Sequence, residues 1–443
     1  MDNFNSLEDR AAAIIEKVTS YTKYYGVVNI HGGTQNVCRF ANSQITQNTN
    51  NSDWNVSLTL HDGKKQASGT SNVLSDEGLK KLANDVENLL LAAPSGEHDI
   101  FPWSYPFIEQ TETDKDLAVF YSTNGCADAI KKGVELLDSD TTAAGALTLE
   151  RKIAAYGNSG TSSLLFSALD NVQFNTVVTG PDGAAGSGDC ISHRLNGVDI
   201  QGAFQRAKER SQMARNAVAI DNEEYTVVLT PQALANLLLF VTWSLNAKRV
   251  SDGLSFCSGD LKNTSFPKYI KIYDDVHHDK VFPLYFDFEG NQRSVIPLIE
   301  NGSAQNILFD NKTAALAGKR TTGHAVSNEG YGGYSLHTVM AGGDSSPADM
   351  IASVKRGLFI SEFHYTNFVN PSKLQVTGLT RNGTYLIENG KIVRAVKNMR
   401  FNQNLVEALN NIVALSQEVE VVDTMGGWAN VVPYALAERF NFK

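Results

Sequence analysis

Histidine can hold a metal ion or move a proton near neutral pH, and this sequence contains nine of them. His277 and His278 lie in DDVHHDK, which predicts a solvated turn between strands. His324 in TTGHAV, His337 in YSLHTV and His364 in EFHYTN each lie in or beside a predicted strand. An isolated strand histidine is more often a hydrogen-bonded structural residue than a ligand. If these three converged on a metal ion, however, the chain would be an independent metal-dependent peptidase.

The common catalytic and phosphate-binding motifs do not occur in the sequence. No histidine is followed by glutamate, so the helical zinc-hydrolase motif HExxH is absent. GNSGT at 157–161 lacks the GxSxG spacing of a nucleophile elbow. GPDGAAGSGDC at 180–190 and AGKRTT at 317–322 do not match the dinucleotide or phosphate-loop patterns. We interpret both stretches as flexible loops.

The most apolar segment is LTPQALANLLLFVTWSLN at 229–246. Thr230 and Pro231 supply an N-cap and a first-turn signal for a helix. The stretch from Leu234 to Leu245 is too short to cross a membrane, which takes about 20 apolar residues. Because Leu237–Val241 has no polar side chain, we expect protein to enclose the helix. This favours a core position for Phe240 over a wall of a peptide chamber.

The elements around this helix predict an α+β protein, in which an N-terminal α/β module precedes a strand-rich C-terminal module with a few helices. Amphipathic helices begin near Ser6 and Ser75, and β-branched strands lie between them. Helices are also expected near 346–355 and 402–415. The predicted division is an N-terminal module at 1–93, a connector at 94–117, a middle α+β module at 118–220 and the strand-rich module at 221–443.

Composition predicts a globular protein, with 42% hydrophobic and 19% charged residues. The net charge of -10 offers no general attraction to nucleic acid, so no direct nucleic-acid partner is expected. Four dispersed cysteines indicate neither a disulfide framework nor a zinc ribbon. MDNFNSLEDR does not have the pattern of a signal peptide. We therefore expect a cytoplasmic location and no membrane association.

A series of motifs resembles the TldD/PmbA family, described as modulators of DNA gyrase and as metallopeptidases. RFANSQITQ and LSDEGLKKLANDVENL resemble its opening module. Motifs that follow in the family's order over most of the chain are EYTVVLTPQALANLL, FDFEGN, RTTGHA, GLFISEFHYTNFVNP, TGLTRNGTYLIENGKI and VKNMRFNQNLVEAL. The most specific of these is TGLTRNGTYLIENGKI.

The resemblance implies where a catalytic metal would bind in related chains. One branch of the family, TldD, carries HExxxH on the helix that follows a strand like YTVVLTP. The aligned positions here are Leu239 and Phe240 for the first His-Glu pair and Ser244 for the second histidine. Met425 in TMGGW stands where that branch has a cysteine. Since alkyl, phenyl and thioether groups are poor zinc ligands or none, the chain resembles the PmbA or TldE branch, which lacks HExxxH.

The resemblance further implies a non-catalytic partner subunit of a cytoplasmic metallopeptidase that acts on unfolded peptides. Its expected partner is an HExxxH-bearing TldD-like paralogue, and zinc is expected only there, with no cofactor in this chain. Alone, the chain is expected to form a homodimer. A non-enzymatic factor that binds gyrase or another protein remains an alternative. Candidates for peptide binding along two strands are His364, Tyr365, Asn367, Thr377 and Arg381, although each could instead fix a turn or a strand crossing.

Overall fold

The structure is a computed structural model that describes residues 6–96, 108–112, 116–117, 120, 124–160, 164–257, 261–326, 330–424 and 428–443. Two β-sheets organise this part of the chain, one of seven strands and one of eleven. The helices are α1 Leu7–Ser20, α2 Asp76–Ala92, α3 Gly125–Val134, α4 Ile200–Met213, α5 Pro231–Ser244, α6 Ala247–Ser251, α7 Asn311–Leu316, α8 Pro347–Ser353 and α9 Leu405–Asn410. The predicted α+β class with a strand-rich C-terminal half is confirmed.

The strands of both sheets are joined either by short turns, as between β1 and β2, or by longer segments that contain helices, as between β7 and β8. In chain order they are β1 Tyr25–Ala41, β2 Gln44–His61, β3 Gln66–Ser71, β4 Ile108–Glu112, β5 Thr142–Asn158, β6 Leu165–Thr179, β7 Ala185–Ser192, β8 Glu224–Leu229, β9 Ile272–Asp274, β10 Ile296–Glu300, β11 Ser303–Ala304, β12 Thr338–Met340, β13 Arg356–Asn370, β14 Gln375–Glu388, β15 Lys391–Ala395, β16 Arg400–Asn404, β17 Ile412–Asp423 and β18 Ala429–Asn441.

The first sheet has the strand order β3-β2-β1-β5-β6-β4, and β7 also pairs with β6. Its neighbours are antiparallel except for β4 and β6, which are parallel. Alternating apolar side chains of these strands pack against α1 and α2 in one core and against α3 and α4 in a second. The two helix pairs therefore cover successive stretches of one sheet.

This sheet draws strands from both the predicted N-terminal and middle modules. Strand β1 pairs with β5 from Val27 opposite Asn158 to Phe40 opposite Gly145. The stretch expected to be a connector, 94–117, contributes β4 to the same sheet. Residues 1–93 and 118–220 are thus joined by backbone hydrogen bonds, and the module boundaries remain predictions.

The glycine-rich stretch at 180–190 was predicted as a flexible loop, and for most of its length this is wrong. Residues from Ala185 onward form β7, which pairs with β6 from Thr179 to Val172. A Cβ at Gly188 would lie 1.9 Å from the carbonyl oxygen of Ala203. Glycine at this position therefore lets the backbone of α4 lie directly on the strand. Close helix packing, rather than loop flexibility, explains the composition.

The second sheet has the order β11-β10-β9-β12-β18-β8-β13-β14-β15, with β16 on β14 and β17 on β18. Parallel pairs at β12–β18 and β8–β13 make it a mixed sheet. The helix expected at 402–415 is shorter, since α9 ends at Asn410 and β17 begins at Ile412. The largest apolar core of the described chain lies between this sheet and α5.

Candidate functional site

Helix α5 begins directly after β8, at a residue that ties it to the neighbouring strand. The hydroxyl Oγ1 of Thr230 accepts a hydrogen bond from the backbone N–H of Ala233 and donates one to the carbonyl oxygen of Ser361. Pro231 occupies the first turn, as predicted. Across the residues that the structure describes, no helix is long and apolar enough to span a membrane.

The three positions of α5 that the family resemblance aligns with HExxxH hold apolar or enclosed side chains; the alignment itself stays a prediction. Phe240 is 6% exposed, and its ring meets that of Phe368 edge-on at 4.9 Å between centroids. Ser244 is fully buried, and its hydroxyl oxygen has no hydrogen-bond partner. Leu239 is partly buried against the same core. Leucine and phenylalanine cannot coordinate zinc, so these positions do not fit a catalytic metal. Met425 lies outside the described residues.

One face of α5 is less buried than the rest of the helix. Gln232, Asn236, Leu239 and Trp243 are half-buried and follow the spacing of a single helical stripe. The side-chain oxygen of Asn236 accepts a hydrogen bond of 2.6 Å from Thr366 on β13. This stripe therefore faces the second half of β13, from Glu362 to Asn370, which we call the far half of β13.

Aromatic rings and one cation continue this face beyond α5. The guanidinium of Arg249 lies 4.7 Å from the ring centroid of Phe368 and 5.6 Å from that of Trp243. Trp243 also approaches Tyr334 at 6.1 Å between centroids. The aromatic rings and the Arg249 guanidinium together form a surface that can contact both apolar and polar parts of a ligand.

The far half of β13 has an open edge beside this wall. Strand β8 pairs with β13 only from Gly357 to Ile360. From Glu362 to Asn370, the strand partner of β13 within the described chain is β14, on the other side. Backbone donors and acceptors on the unpaired side can therefore add an extended peptide as a further strand.

Three of the five predicted peptide-binding residues come together here, His364 and Tyr365 on β13 and Arg381 on the neighbouring β14. The guanidinium Nη1 of Arg381 lies 2.9 Å from Nε2 of His364, and the His364 ring lies 4.1 Å from that of Tyr365. Burial and the neighbouring Arg381 charge both lower the pKa of His364. Tyr365 adopts a left-handed backbone with φ of 53° and is 75% exposed. A β-bulge thus projects its ring away from the sheet.

The other two predicted residues are held by local hydrogen bonds. Asn367 and Thr377 face each other in the β13–β14 register. The Asn367 amide donates to the carbonyl oxygen of Tyr365, and the Thr377 hydroxyl donates to that of Phe401. These bonds suit a structural role in the bulge and the β14–β16 pairing. The binding role remains a prediction for all five residues.

The three histidines considered for an independent metal site do not form one. His324 is fully buried with Nε2 at 3.1 Å from the carboxylate of Asp274, and its Nδ1 lies 2.7 Å from the carbonyl oxygen of Thr322. His337 is fully buried with Nε2 at 2.7 Å from the carbonyl oxygen of Phe282, whereas His364 lies on β13. In the described ranges, no group of three or more His, Cys, Asp or Glu could hold a metal ion.

Asp274 is the centre of the buried polar cluster that contains two of these histidines. Burial alone would raise the pKa of Asp274, but the charge of Arg293 at 2.8 Å and contact with His324 lower it well below its usual value. Burial also lowers the pKa of His337 to about 3, so its ring is neutral near pH 7. The cluster is a fully buried core element built around the Arg293–Asp274 ion pair, rather than an open site.

A second buried polar cluster was not predicted from the sequence. It contains Asp287 and Glu289 from FDFEGN together with Asp310, all at most 9% exposed. Burial, followed by repulsion from Asp287, raises the pKa of Glu289 to about 9. Acidic residues usually indicate solvent exposure, so only the family motif could have marked this segment.

Comparisons with protein families match two regions of the chain. Residues 222–443 match a model described as the PmbA/TldA metallopeptidase C-terminal domain. Residues 27–90 match the model of PmbA/TldA metallopeptidase domain 1. The α5 helix and both strands of the peptide-binding candidates lie in the first of these regions.

Curated relatives match over part of their length. An uncharacterized protein of Methanocaldococcus jannaschii is 30% identical over 234 residues, which is 50% of this chain and 53% of that protein. A protein described as a zinc metalloprotease TldD homolog, from Saccharolobus solfataricus, is 25% identical over 210 residues, or 44% of each chain. The chain thus spans about half the length of the curated relatives it matches.

Two solved structures share the fold over nearly the whole chain. TldE from Thermococcus kodakarensis superposes with a TM-score of 0.82 at 19% identity, covering 97% of this chain and 99% of that one. A protein from Bacteroides thetaiotaomicron, described as a proposed modulator of DNA gyrase, gives a TM-score of 0.82 at 18% identity, with 99% of each chain covered. At these identities the likeness concerns the fold.

The burial of Phe240 predicts a large loss of stability on truncation. Phe240→Ala should lower the free energy of unfolding by about 3 to 5 kcal/mol, because it removes buried ring contacts and leaves a cavity. Leu239→Ala, on the half-buried stripe, is the matched control and should cost clearly less. Urea unfolding of both variants measures the difference, and a loss below about 1 kcal/mol for Phe240→Ala would contradict a core role.

The buried Glu289 predicts a specific pH dependence. Its folded pKa of about 9 exceeds the unfolded value near 4.5, so the stabilisation is complete below pH 4.5 and is lost as pH rises toward 9. Glu289→Gln removes this titration. Its stability relative to wild type should therefore rise from pH 5 to pH 8, by at most about 1.4 kcal/mol per pH unit.

Urea unfolding at several pH values tests this expectation. Glu77→Gln, on the exposed surface of α2, is the control for loss of one acidic group. A Glu289→Gln curve parallel to that of wild type across the range would show that Glu289 is ionised in the folded protein.

Proposed function

Because this chain belongs to the PmbA/TldD metallopeptidase family, as its sequence motifs predicted, we propose that it is a non-catalytic partner subunit of a peptidase that acts on unfolded peptides. The observation that carries the proposal is helix α5. At its aligned positions, Leu239 and Phe240 are apolar and Ser244 is enclosed in the core. Catalysis is thereby assigned to an HExxxH-bearing relative.

The chemistry of α5 supports a role without bound zinc. A catalytic zinc needs nitrogen, sulfur or oxygen ligands and an open position for water. Leu239 and Phe240 offer no lone pair, and the Ser244 hydroxyl is surrounded by core side chains. A carboxylate that could activate water is also missing from the Phe240 position. The helix instead supports the packing of the second sheet.

The same half of the chain offers a surface for an extended peptide. The open edge of β13 from Glu362 to Asn370 can hydrogen bond to a peptide backbone and thus accept many sequences. The half-buried stripe of α5 and the ring of Phe368 lie alongside it. In this role the chain holds substrate while the relative supplies the metal centre.

We place the partner contact at the bulge of β13. Tyr365 and Val369 are 75% and 51% exposed, so this hairpin presents apolar side chains to solvent. Exposed apolar groups that lie close together commonly mark protein interfaces. The bulge would contact a second copy when the chain is alone and the HExxxH-bearing relative when both are present.

The isolated chain should bind no stoichiometric zinc and cleave no unfolded peptide. Metal analysis after purification in zinc-containing buffer measures the first expectation, and digestion of an unfolded casein peptide measures the second. The relative alone and the mixture are assayed in parallel. One zinc per chain together with chelator-sensitive cleavage by the isolated protein would overturn the non-catalytic assignment.

Tyr365→Asp should weaken association at least about tenfold, since it places a charge in an apolar contact. Light scattering at micromolar concentration and peptidase activity of the mixture are the two measurements. Leu91→Asp, which places the same charge at an exposed apolar position on α2, is the control. It should leave association and peptidase activity unchanged. A wild-type monomer that also fails to associate with the relative would refute the partner role. Unchanged association in Tyr365→Asp would place the interface elsewhere.

A further inference from the structure

A half-buried cation lies at one end of the far half of β13. The guanidinium of Arg249 lies 4.7 Å from the ring centroid of Phe368 on β13 and 5.6 Å from that of Trp243, the last residue of the half-buried stripe of α5. Helix α5 itself contains no charged residue. Arg249 therefore supplies the positive charge where the proposed peptide surface ends.

Arg249 has no anionic partner in the part of the chain that the structure describes. The carboxylate of Asp252, a few positions along the chain, is held by Lys248 at 2.6 Å. The side-chain nitrogens of Arg249 make no hydrogen bond to described residues, and of the three only Nε is enclosed. The terminal nitrogens Nη1 and Nη2 are therefore open to an anion from outside the chain.

A carboxylate matches this arrangement. A guanidinium presents parallel N–H donors that fit the two oxygens of a carboxylate. The rings of Phe368 and Trp243 reduce the access of water to Arg249, and a charged hydrogen bond is stronger where water is partly excluded. The same rings hold the plane of the guanidinium, so its open edge keeps one direction.

The opposite end of the stripe has acidic neighbours. The Gln232 side chain donates to the backbone carbonyl oxygen of Asp423 at 3.0 Å. Glu362 begins the far half of β13 beside the start of α5. Since like charges repel, a peptide carboxylate is disfavoured at this end and favoured at Arg249.

The end of β13 indicates which carboxylate reaches Arg249. The strand ends at Asn370, just after Phe368, so a peptide paired with its open edge also ends there. The stripe from Gln232 to Trp243 is about 16 Å long, which corresponds to about five residues of an extended peptide. A short peptide can therefore cover the surface with its C-terminus beside Arg249.

We propose that Arg249 binds the C-terminal carboxylate of a peptide that lies along the far half of β13. The peptide then runs parallel to β13, in the direction of β8, which already pairs with β13 in parallel from Gly357 to Ile360. This inference rests on the peptide-holding role proposed above. It adds a preferred direction and a free C-terminus to the description of the substrate.

Three N-acetylated hexapeptides of alanine, serine, threonine and valine test the proposal by titration calorimetry with the full chain. The first ends in a free carboxylate, the second in a carboxamide, and the third in an aspartate whose own terminus is a carboxamide. Wild type should bind the first about tenfold more tightly than the second, because only the first can pair with the guanidinium. The third should bind like the second.

Substitutions on the short helix α6 locate the carboxylate. Arg249→Gln should remove the preference and leave the affinity for the carboxamide peptide unchanged, because the backbone contacts to β13 are kept. Arg249→Lys should retain only part of the preference, since an ammonium group lacks the two parallel donors. Lys248→Gln removes the adjacent cation and is the matched control, which should keep the full preference. Thermal unfolding checks that all three variants are folded.

The possible failures point to different conclusions. Equal binding of the free-acid and carboxamide peptides by wild type would overturn the carboxylate site but leave the peptide surface in place. A preference that persists in Arg249→Gln would also overturn it. Tight binding of the aspartate peptide would show that any carboxylate is accepted, against the C-terminal assignment. If none of the three peptides binds saturably, the peptide-holding role itself is refuted, and the assignment of Arg249 with it.

Discussion

Helix α5 has almost no polar face, and the C-terminal half is arranged to enclose it. Its side chains from Leu234 to Val241 pack into one core with β8, β13, β18 and α9. A helix of this kind is stable only when protein covers it on most sides, because each exposed apolar side chain would lose part of its burial energy. The mixed sheet and the short helix α9 supply that cover. The half-buried stripe of α5 that faces β13 is the part of the helix left partly exposed. A ligand could therefore contact α5 only along this stripe.

Local chemistry in the sequence was sufficient to predict much of this arrangement. Thr230 and Pro231 predicted the start of α5, and the apolar run Leu237–Val241 predicted that the helix is buried. Family motifs indicated the correct family, and the α+β class is confirmed for the described residues. Each of these signals arises from neighbouring residues and their spacing, so no tertiary contact had to be known.

Features created by distant contacts were missed. Strand β7 was taken for a loop because its glycines are explained only by the backbone of α4 lying against Gly188. The burial of Glu289 contradicts the usual preference of acidic residues for water. The site on β13 was predicted as a group of five residues, but the bulge that brings His364, Tyr365 and Arg381 together depends on pairing with β14. Asp274 likewise shows its role only when Arg293 and His324 are folded around it.

The long pairing of β1 with β5 has a consequence for how the chain folds. Val27 and Asn158 lie opposite each other in the sheet although more than a hundred positions separate them along the chain. Closing such a large loop costs entropy before its contacts form, so this sheet has high contact order and should fold slowly. During synthesis, β1 and β2 can pair as a hairpin before β5 has been made. The backbone hydrogen-bonding groups on the other edge of β1 then have no strand partner. The hairpin's outer half, from Thr46 to Asp53, is exposed and composed of Thr, Gln, Asn, Ser and Asp. This polar composition reduces the hairpin's tendency to aggregate while its remaining strands are still being made.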